Sequence, residues 1–152
     1  MEKAKKIYET VMKTFDGMGW TYDRYDEELC VVSGVKSDDL PIRFSISVYE
    51  KNQLIRLVST LPFNVPEDKR IDIALAVCAI SDSFIDGSFD YNIFEGEVSF
   101  RLTSSYRESE ISTDLIEYMI GVSTSTVDAY NDKLFAICKG YMTLEQLYEQ
   151  LK

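Results

Sequence analysis

Residues 61–107 constrain the fold more strongly than any other part of the sequence. Pro62 cannot donate a hydrogen bond to a strand ladder and so is predicted to end a strand, and Pro66 suits the first turn of a helix. An apolar-rich segment follows, and Gly87 and Gly96 then mark the end of that helix and the turn of a hairpin. The region is therefore predicted to run strand, helix, hairpin.

The preceding residues predict a helix followed by a strand meander. Residues 2–18 repeat apolar side chains at the 3.6-residue period of an amphipathic helix. Alternating segments separated by short turns then predict four antiparallel strands, over residues 20–25, 29–35, 42–48 and 54–61. A polar stretch, residues 36–40, is predicted to be the loop between the second and third of these strands.

The later residues predict two helices and a hairpin. The helix that opens at Pro66 is apolar around most of its circumference, so we expect it to be the most buried helix. The hairpin is expected over residues 89–94 and 98–103. Ser112 can cap a long helix that Gly140 ends.

The order of elements indicates one α+β domain. A chain of 152 residues with 45% hydrophobic residues is the usual size for a single core, and residues 1–152 are expected to form one domain. Thr143 and Gln146 have capping-box spacing, which predicts a short helical extension over residues 143–152. The expected architecture is an antiparallel sheet with helices packed on it, in the order α-β-β-β-β-α-β-β-α, plus that C-terminal helix.

Four motifs carry a resemblance to a known family. They are Gly19-Trp20-Thr21-Tyr22, the Leu61-Pro62 passage that runs to Pro66, Gly87-Ser88-Phe89 at the start of a strand, and Val98-Ser99-Phe100-Arg101 after a glycine turn. Together with the order of elements, they make about residues 5–138 resemble the YbjN family of small bacterial proteins. Residues 143–152 lie outside the common pattern of that family.

The resemblance implies a fold and a mode of action. The YbjN family is similar in fold to the type III secretion chaperones. These are α+β proteins that usually act as homodimers and bind partner polypeptides in extended form. The resemblance therefore implies a homodimer that binds or regulates a polypeptide, rather than an enzyme.

The charge balance bears on partners and location. The chain has 26 acidic and 16 basic residues, a formal net charge of −10. This field repels phosphate backbones and anionic lipids, so neither nucleic acid nor a membrane surface is an expected partner, and basic partners are favoured. The first twenty residues lack a signal peptide's apolar block, and no apolar run reaches the roughly 18 residues of a membrane span. A cytoplasmic location is expected.

Residues that carry catalytic chemistry are scarce. The chain has no histidine, which removes the commonest general base and metal ligand. Its three cysteines, Cys30, Cys78 and Cys138, have apolar neighbours in sequence and are expected to be inert core thiols. We predict no catalytic residue and no cofactor.

One acidic cluster is a candidate for a metal site. Asp82, Asp86 and Asp90 lie close together in sequence, and carboxylate oxygens are calcium ligands. The spacing does not match an EF-hand loop, so a helix end followed by a turn with solvated acids is the expected structure. We therefore predict no metal site.

Four tyrosines toward the last helices are the candidates for a contact surface. Tyr106, Tyr118, Tyr141 and Tyr148 are expected to be exposed and to contact a partner. The leading hypothesis is a non-enzymatic, chaperone-like or regulatory module that binds a polypeptide. One alternative is a small-molecule sensor with an apolar pocket between the sheet and the helix that opens at Pro66. The other is a structural subunit of a larger assembly.

Overall fold

The computed structural model describes residues 1–37 and 40–152, which contain four α-helices, six strands and a short 3-10 helix (Glu67–Lys69) before the second α-helix. In chain order the α-helices and strands are α1 (Glu2–Met18), β1 (Asp23–Tyr25), β2 (Cys30–Val35), β3 (Ile42–Tyr49), β4 (Leu54–Asn64), α2 (Arg70–Asp82), β5 (Ser88–Asn92), β6 (Glu97–Ser105), α3 (Thr113–Lys139) and α4 (Leu144–Leu151). The predicted order of elements is confirmed. The loop predicted over residues 36–40 includes residues 38 and 39, which lie outside the described residues.

The strands form one antiparallel sheet in the order β1-β2-β3-β4-β6-β5. The hairpin of β5 and β6 extends the meander, with β6 rather than β5 beside β4. The registers place Val31, Ile46, Leu57 and Leu102 opposite one another across four strands. All four are buried, and side chains alternate between the two faces of a strand, so these residues mark the core face of the sheet.

The core face is covered by α1, α2 and α3, which also pack side by side. The long helix α3 begins where predicted, because the Ser112 hydroxyl accepts a hydrogen bond from the Leu115 N–H at 3.1 Å. It ends at Gly140, whose φ of +77° is in the left-handed region that favours glycine. No helix of the described residues covers the opposite face of the sheet, which we call the open face.

The fourth strand is longer than predicted, since β4 continues through Pro62 to Asn64. Its pairing with β6 shifts register between Thr60 and Asn64. Pro62 lies within this irregularity and has no ladder partner there, so its missing N–H breaks no ladder hydrogen bond. The prediction that Pro62 ends the strand was wrong for this reason.

The first strand is shorter than predicted. Only Asp23–Tyr25 pair with β2, and residues 20–22 lie outside the ladder. The rings of Trp20 and Tyr22 instead pack around Phe15 of α1, with centroid distances of 6.2 and 5.4 Å. The alternation that predicted a strand over residues 20–25 therefore partly reflects packing of a loop against the first helix.

The second helix is not the most buried one, contrary to the prediction: 4 of its 13 residues are buried, against 7 of the 17 residues of α1. It buries one face toward β5 and α3, formed by Ile73, Ala76, Val77 and Ile80. On another face Ile71 is 65% exposed and Leu75 is 48% exposed. Because α2 packs beside β5, the last strand of the sheet, the core contacts only part of its apolar circumference.

The terminal helix α4 packs on α2 of the same chain. Its capping box is formed as predicted: the Gln146 N–H donates to the Thr143 hydroxyl at 3.1 Å, and the Thr143 N–H donates to the Gln146 side chain at 2.8 Å. Leu147 is fully buried and anchors the helix. One side of α2 is therefore covered by α4, while the side bearing Ile71 and Leu75 is not.

Candidate functional site

Tyr106 is not on the surface, so its predicted exposure was wrong. The side chain is only 2% exposed. Its hydroxyl donates to the Tyr49 carbonyl at 2.9 Å, and Lys3 lies over its ring with the ammonium nitrogen 5.7 Å from the centroid. Burial, with a smaller effect from the charge of Glu50, raises the pKa of Tyr106. Because Tyr106 directly follows β6 and is held from both sides, it closes the core rather than offering a contact.

The other three predicted tyrosines are exposed but do not form one surface. Tyr118 is near the start of α3 and donates its hydroxyl to Asp86 at 2.9 Å, which raises the Tyr118 pKa. Tyr141 and Tyr148 lie beyond the other end of α3. At 1.5 Å per residue, the part of α3 between Tyr118 and Lys139 is about 30 Å long. Partner contact by these tyrosines stays a prediction.

The cysteines differ from one another in exposure. Cys138 is buried, and desolvation raises the pKa of its thiol to about 11. Cys30 is half-buried, and Cys78 is exposed on α2. The expectation of three core thiols was therefore wrong for Cys78, because it lies on the face of α2 that the core does not contact.

The acidic cluster after α2 has partners within the chain. Asp86 accepts the hydrogen bond from Tyr118, and Asp90 forms an ion pair with Arg101 at 3.0 Å. Within residues 1–37 and 40–152, no three His, Cys, Asp or Glu side chains are grouped so that they could hold a metal ion. The described helices include none long and apolar enough to cross a bilayer.

An exposed apolar stripe runs along α2. It consists of Ile71, Leu75 and Cys78, which are spaced by four and three residues and so lie on one helix face. Phe94, 87% exposed in the β5–β6 turn, is held near the start of this stripe because Arg70 donates to the Phe94 carbonyl at 2.6 Å. We call these four residues the α2 stripe. The all-round apolarity of the helix was the sequence signal for it.

The open face of the sheet presents mainly hydroxyl, arginine and small apolar side chains. Pairing places one row across five strands, formed by Tyr25, Cys30, Ser47, Arg56 and Thr103. The adjacent row crosses all six strands, through Asp23, Val32, Ser45, Val58, Arg101 and Ser88. A face of this kind is wide, shallow and partly polar.

Arg56 is the central cation of the open face. It lies on β4, between Ser47 of β3 and Thr103 of β6. Its guanidinium carbon is 5.2 Å from the centroid of the Tyr49 ring, a cation–π contact. Its Nε is buried and has no hydrogen-bond partner among the described residues. The sequence analysis did not single out Arg56. The alternation of β4 nevertheless places its side chain on the other face of the sheet from Ile55 and Leu57.

The cavities of the described residues are open at the surface. A groove of about 470 Å³ lies between α1 and the segment before α3, with Lys3, Lys6 and Ile111 in its lining. Residues of α2 line none of the five clearest cavities. Buried side chains such as Ile73 and Ile80 occupy the space between α2 and the sheet, where the small-molecule alternative expects an apolar pocket.

Comparison with known families identifies one match. The sequence model of the YbjN family, described as "Putative bacterial sensory transduction regulator", matches residues 8–136. The match covers the sheet and most of α1 and α3 but not α4. No curated protein matches the sequence.

Three solved structures are similar in fold. YbjN from E. coli is 12% identical with a TM-score of 0.60, and the similarity covers 84% of this chain and 89% of that chain. For the ExsC–ExsE complex the identity is 11% and the TM-score 0.61, with 86% and 95% covered. For the HopA1–SchA chaperone–effector complex the identity is 10% and the TM-score 0.54, with 81% and 91% covered. The type III chaperone-like fold is confirmed.

Proposed function

The chain belongs to the YbjN family, and on that premise we propose that it binds a polypeptide partner in a chaperone-like or regulatory role, without catalysing a reaction. Two of the structures similar in fold are complexes, ExsC–ExsE and HopA1–SchA, the latter a chaperone with an effector. Their fold is compatible with holding a second polypeptide. This supports the same class of function here.

The observation that carries the proposal is the open face of the sheet. The helices α1, α2 and α3 lie on the core face, and the opposite face keeps side chains that can hydrogen-bond or pack, such as Ser47, Arg56 and Val58. An extended segment can lie across such a face and place alternate side chains on it. The edge strand β1, exposed at all three residues, also offers backbone groups for strand addition.

We further propose that the protein is a homodimer whose subunits meet at the α2 stripe. Two copies with a net charge of −10 repel each other, so a contact between copies is favoured at an uncharged patch. Ile71, Leu75, Cys78 and Phe94 form such a patch and would be buried in a two-fold arrangement. The proposed partner segment and the second copy therefore use different surfaces.

The cytoplasm is the proposed location, and a polypeptide is favoured over nucleic acid. All three cysteines are free, which fits a reducing compartment. The net charge of −10 opposes approach to a phosphate backbone or an anionic membrane. The lack of histidine also removes the commonest residue of acid–base catalysis.

The test is capture of the partner followed by binding of its isolated segment. The tagged protein would be cross-linked in a lysate of its native cells, and partners would be identified by mass spectrometry against a tag-only control. The cross-linked segment would then be synthesised and titrated by fluorescence anisotropy. We expect one polypeptide whose isolated segment binds with a micromolar or lower Kd. Stabilisation by a metabolite in a thermal-shift panel, with no binding segment recovered, would support the small-molecule alternative instead.

A further inference from the structure

The open face carries an arginine whose surroundings suit a carboxylate from outside the chain. We infer that Arg56 pairs with an acidic side chain of the partner, carried in an extended and otherwise mainly uncharged segment that lies over β4 and its neighbours β3 and β6. This inference rests on the proposed function, since it assigns the surface and the chemistry by which a polypeptide is recognised. It names the α2 stripe as the site of a second copy and the open face as the site of the partner.

Arg56 differs from Arg101 and Arg24, whose charges are paired within the chain. Arg101, one row away on β6, pairs with Asp90 at 3.0 Å, and Arg24 pairs with Asp26 at 2.8 Å. Arg56 forms no ion pair with any described residue, and its Nε is buried without a hydrogen bond to that part of the chain. Since Nε is buried, an outside carboxylate would pair with the two terminal guanidinium nitrogens, which are not buried in this way and donate no hydrogen bond within the described residues.

The guanidinium of Arg56 is held in place before binding. Tyr49 lies beneath it at 5.2 Å, and the neighbouring strands hold Ser47 and Thr103 on either side. An arginine fork in a fixed plane matches a carboxylate with two parallel hydrogen bonds. The adjacent hydroxyls can donate further hydrogen bonds to the same oxygens. Little side-chain entropy is then lost when the acid binds.

The charge around Arg56 favours an acidic partner group. The chain as a whole is strongly acidic, yet the outward positions of β2, β3 and β4 include two arginines and no carboxylate; they are Cys30, Val32, Gly34, Arg43, Ser45, Ser47, Tyr49, Leu54, Arg56, Val58 and Thr60. The acids of this face, Asp23, Asp90 and Glu97, lie on the edge strands β1 and β5 and at the first position of β6. The expected preference for basic partners, drawn from the net charge, therefore does not describe this surface.

The surface beside Arg56 suits a polypeptide segment better than a small anion. Next to Arg56 is a shallow depression of about 280 Å³, lined by Val32, Arg43, Ser45, Val58 and neighbouring residues. Val58 is two residues from Arg56 on the same strand and faces the same side. An extended segment can therefore place an acidic side chain at Arg56 and an apolar one in this depression, two residues apart.

The experiment is an unbiased selection of peptides on the intact protein. A displayed library of random peptides would be panned against the wild type, and binders would be synthesised and titrated. We expect the selected peptides to share an acidic position with an apolar residue two positions away. Arg56→Gln should weaken their binding about ten- to hundredfold, the effect of losing a charged hydrogen-bonded pair. Lys13→Gln, the same change of charge on the helix layer, should leave binding unchanged.

Two further variants separate recognition from folding. Arg56→Lys keeps the charge without the fork and should recover only part of the affinity. Arg56→Glu should bind a peptide whose acidic residue is replaced by arginine better than it binds the original peptide. Circular dichroism and thermal melts would establish that each variant is folded, so a loss of binding reports on the contact.

Each outcome bears on one of the two proposals. Peptides that bind Arg56→Gln as tightly as the wild type would overturn the role of Arg56 and leave the polypeptide-binding function standing. A change of oligomeric state in Arg56→Gln, with peptide affinity unchanged, would show that a second copy occupies the open face and would also overturn it. Recovery of no binding peptide from the library would count against the proposed function itself, and the inference would fail with it.

Discussion

At the scale of single residues, Tyr8 ties α1 to the turn after β1. Its hydroxyl donates to Asp26 Oδ1 at 2.8 Å, and Arg24 donates to the same oxygen at 2.8 Å. Burial raises the pKa of Tyr8 to about 12, with the Asp26 hydrogen bond adding to the rise. The hydrogen bond from Arg24, and then that from Tyr8, lowers the pKa of Asp26. The contact thus favours a neutral phenol beside an ionised carboxylate.

Tyr8→Phe tests this contact through the pH dependence of stability. Between about pH 10 and 12 the folded chain keeps the Tyr8 proton that the unfolded chain releases, so this stabilisation is complete below pH 10 and falls as pH rises. At pH 7 we expect Tyr8→Phe to lower the free energy of unfolding by about 1 kcal/mol. Urea unfolding at pH 7, 10 and 11 should show a smaller alkaline loss for the variant, and an unchanged loss would contradict the assignment.

A second prediction at the residue scale concerns the thiols. At pH 8 Cys78 should react with a small thiol reagent first and Cys30 more slowly. Cys138 should be protected until the chain unfolds, because it is buried and a pKa of about 11 leaves on the order of one thiolate in a thousand. Peptide mass mapping after timed labelling would give the order, and Cys78→Ser should remove the fast phase. Fast labelling of Cys138 in the folded protein would contradict the described core.

Residue types and spacing predicted the burial of some of these residues but not of others. The strand alternation that placed Ile46 and Leu57 in the core also places Arg56 on the opposite face, so the open face could have been read from the sequence. The exposure of Cys78 could not, because an apolar helix leaves open which of its faces meets the core. Tyr106 was misjudged because nothing local indicates that α1 and Tyr49 enclose it.

At the scale of elements, some helix and strand ends are set by the local sequence, and others are set by tertiary contacts. The long helix α3 starts and ends at the predicted cap residues, since Ser112 and Gly140 act on their own neighbouring backbone. Pro62, in contrast, stops a strand only if the partner strand needs its N–H, and the irregular pairing with β6 removes that need. Caps are local and were predictable, whereas the end of β4 depended on a distant strand.

Thr143→Ala tests how α4 is held on α2. The capping box supplies two hydrogen bonds to the helix start, and its loss should destabilise α4 by about 1 kcal/mol. Hydrogen exchange should then speed up for amides of residues 147–151, with little change in β3 and β4. Thr143→Ser keeps the cap oxygen and serves as the matched control. Unchanged exchange in Thr143→Ala would mean that packing of Leu147 alone holds the helix.

At the scale of the whole molecule, the sheet with one layer of helices leaves two surfaces that need an explanation. The α2 stripe is apolar and uncharged, and the open face is mixed, with two arginines and no carboxylate at the outward positions of β2, β3 and β4. The fold itself was predictable because the order of elements and the family motifs agree. The α2 stripe and the open face were less predictable from the sequence. Which face of a sheet or helix stays exposed depends on how many elements the chain packs on each face.

Leu75→Asp tests the proposed homodimer. A charge in the middle of the α2 stripe should weaken self-association at least tenfold, since two like charges would meet in an apolar contact. Sedimentation velocity over a concentration series should show a dimer for the wild type and a monomer for the variant. Tyr141→Asp, at a residue that is 80% exposed and outside the stripe, is the matched control. A dimer that persists in Leu75→Asp would place the interface elsewhere.

The central claim is that this protein holds a polypeptide, and native mass spectrometry of the tagged protein purified from its own cells tests it most directly. The account predicts a complex whose mass equals two copies of the 17.5 kDa chain plus a polypeptide, which dissociates in the gas phase into those components. A dimer that carries only a ligand of a few hundred daltons would contradict the claim and support the small-molecule sensor. A much larger assembly of defined composition would instead support a structural subunit.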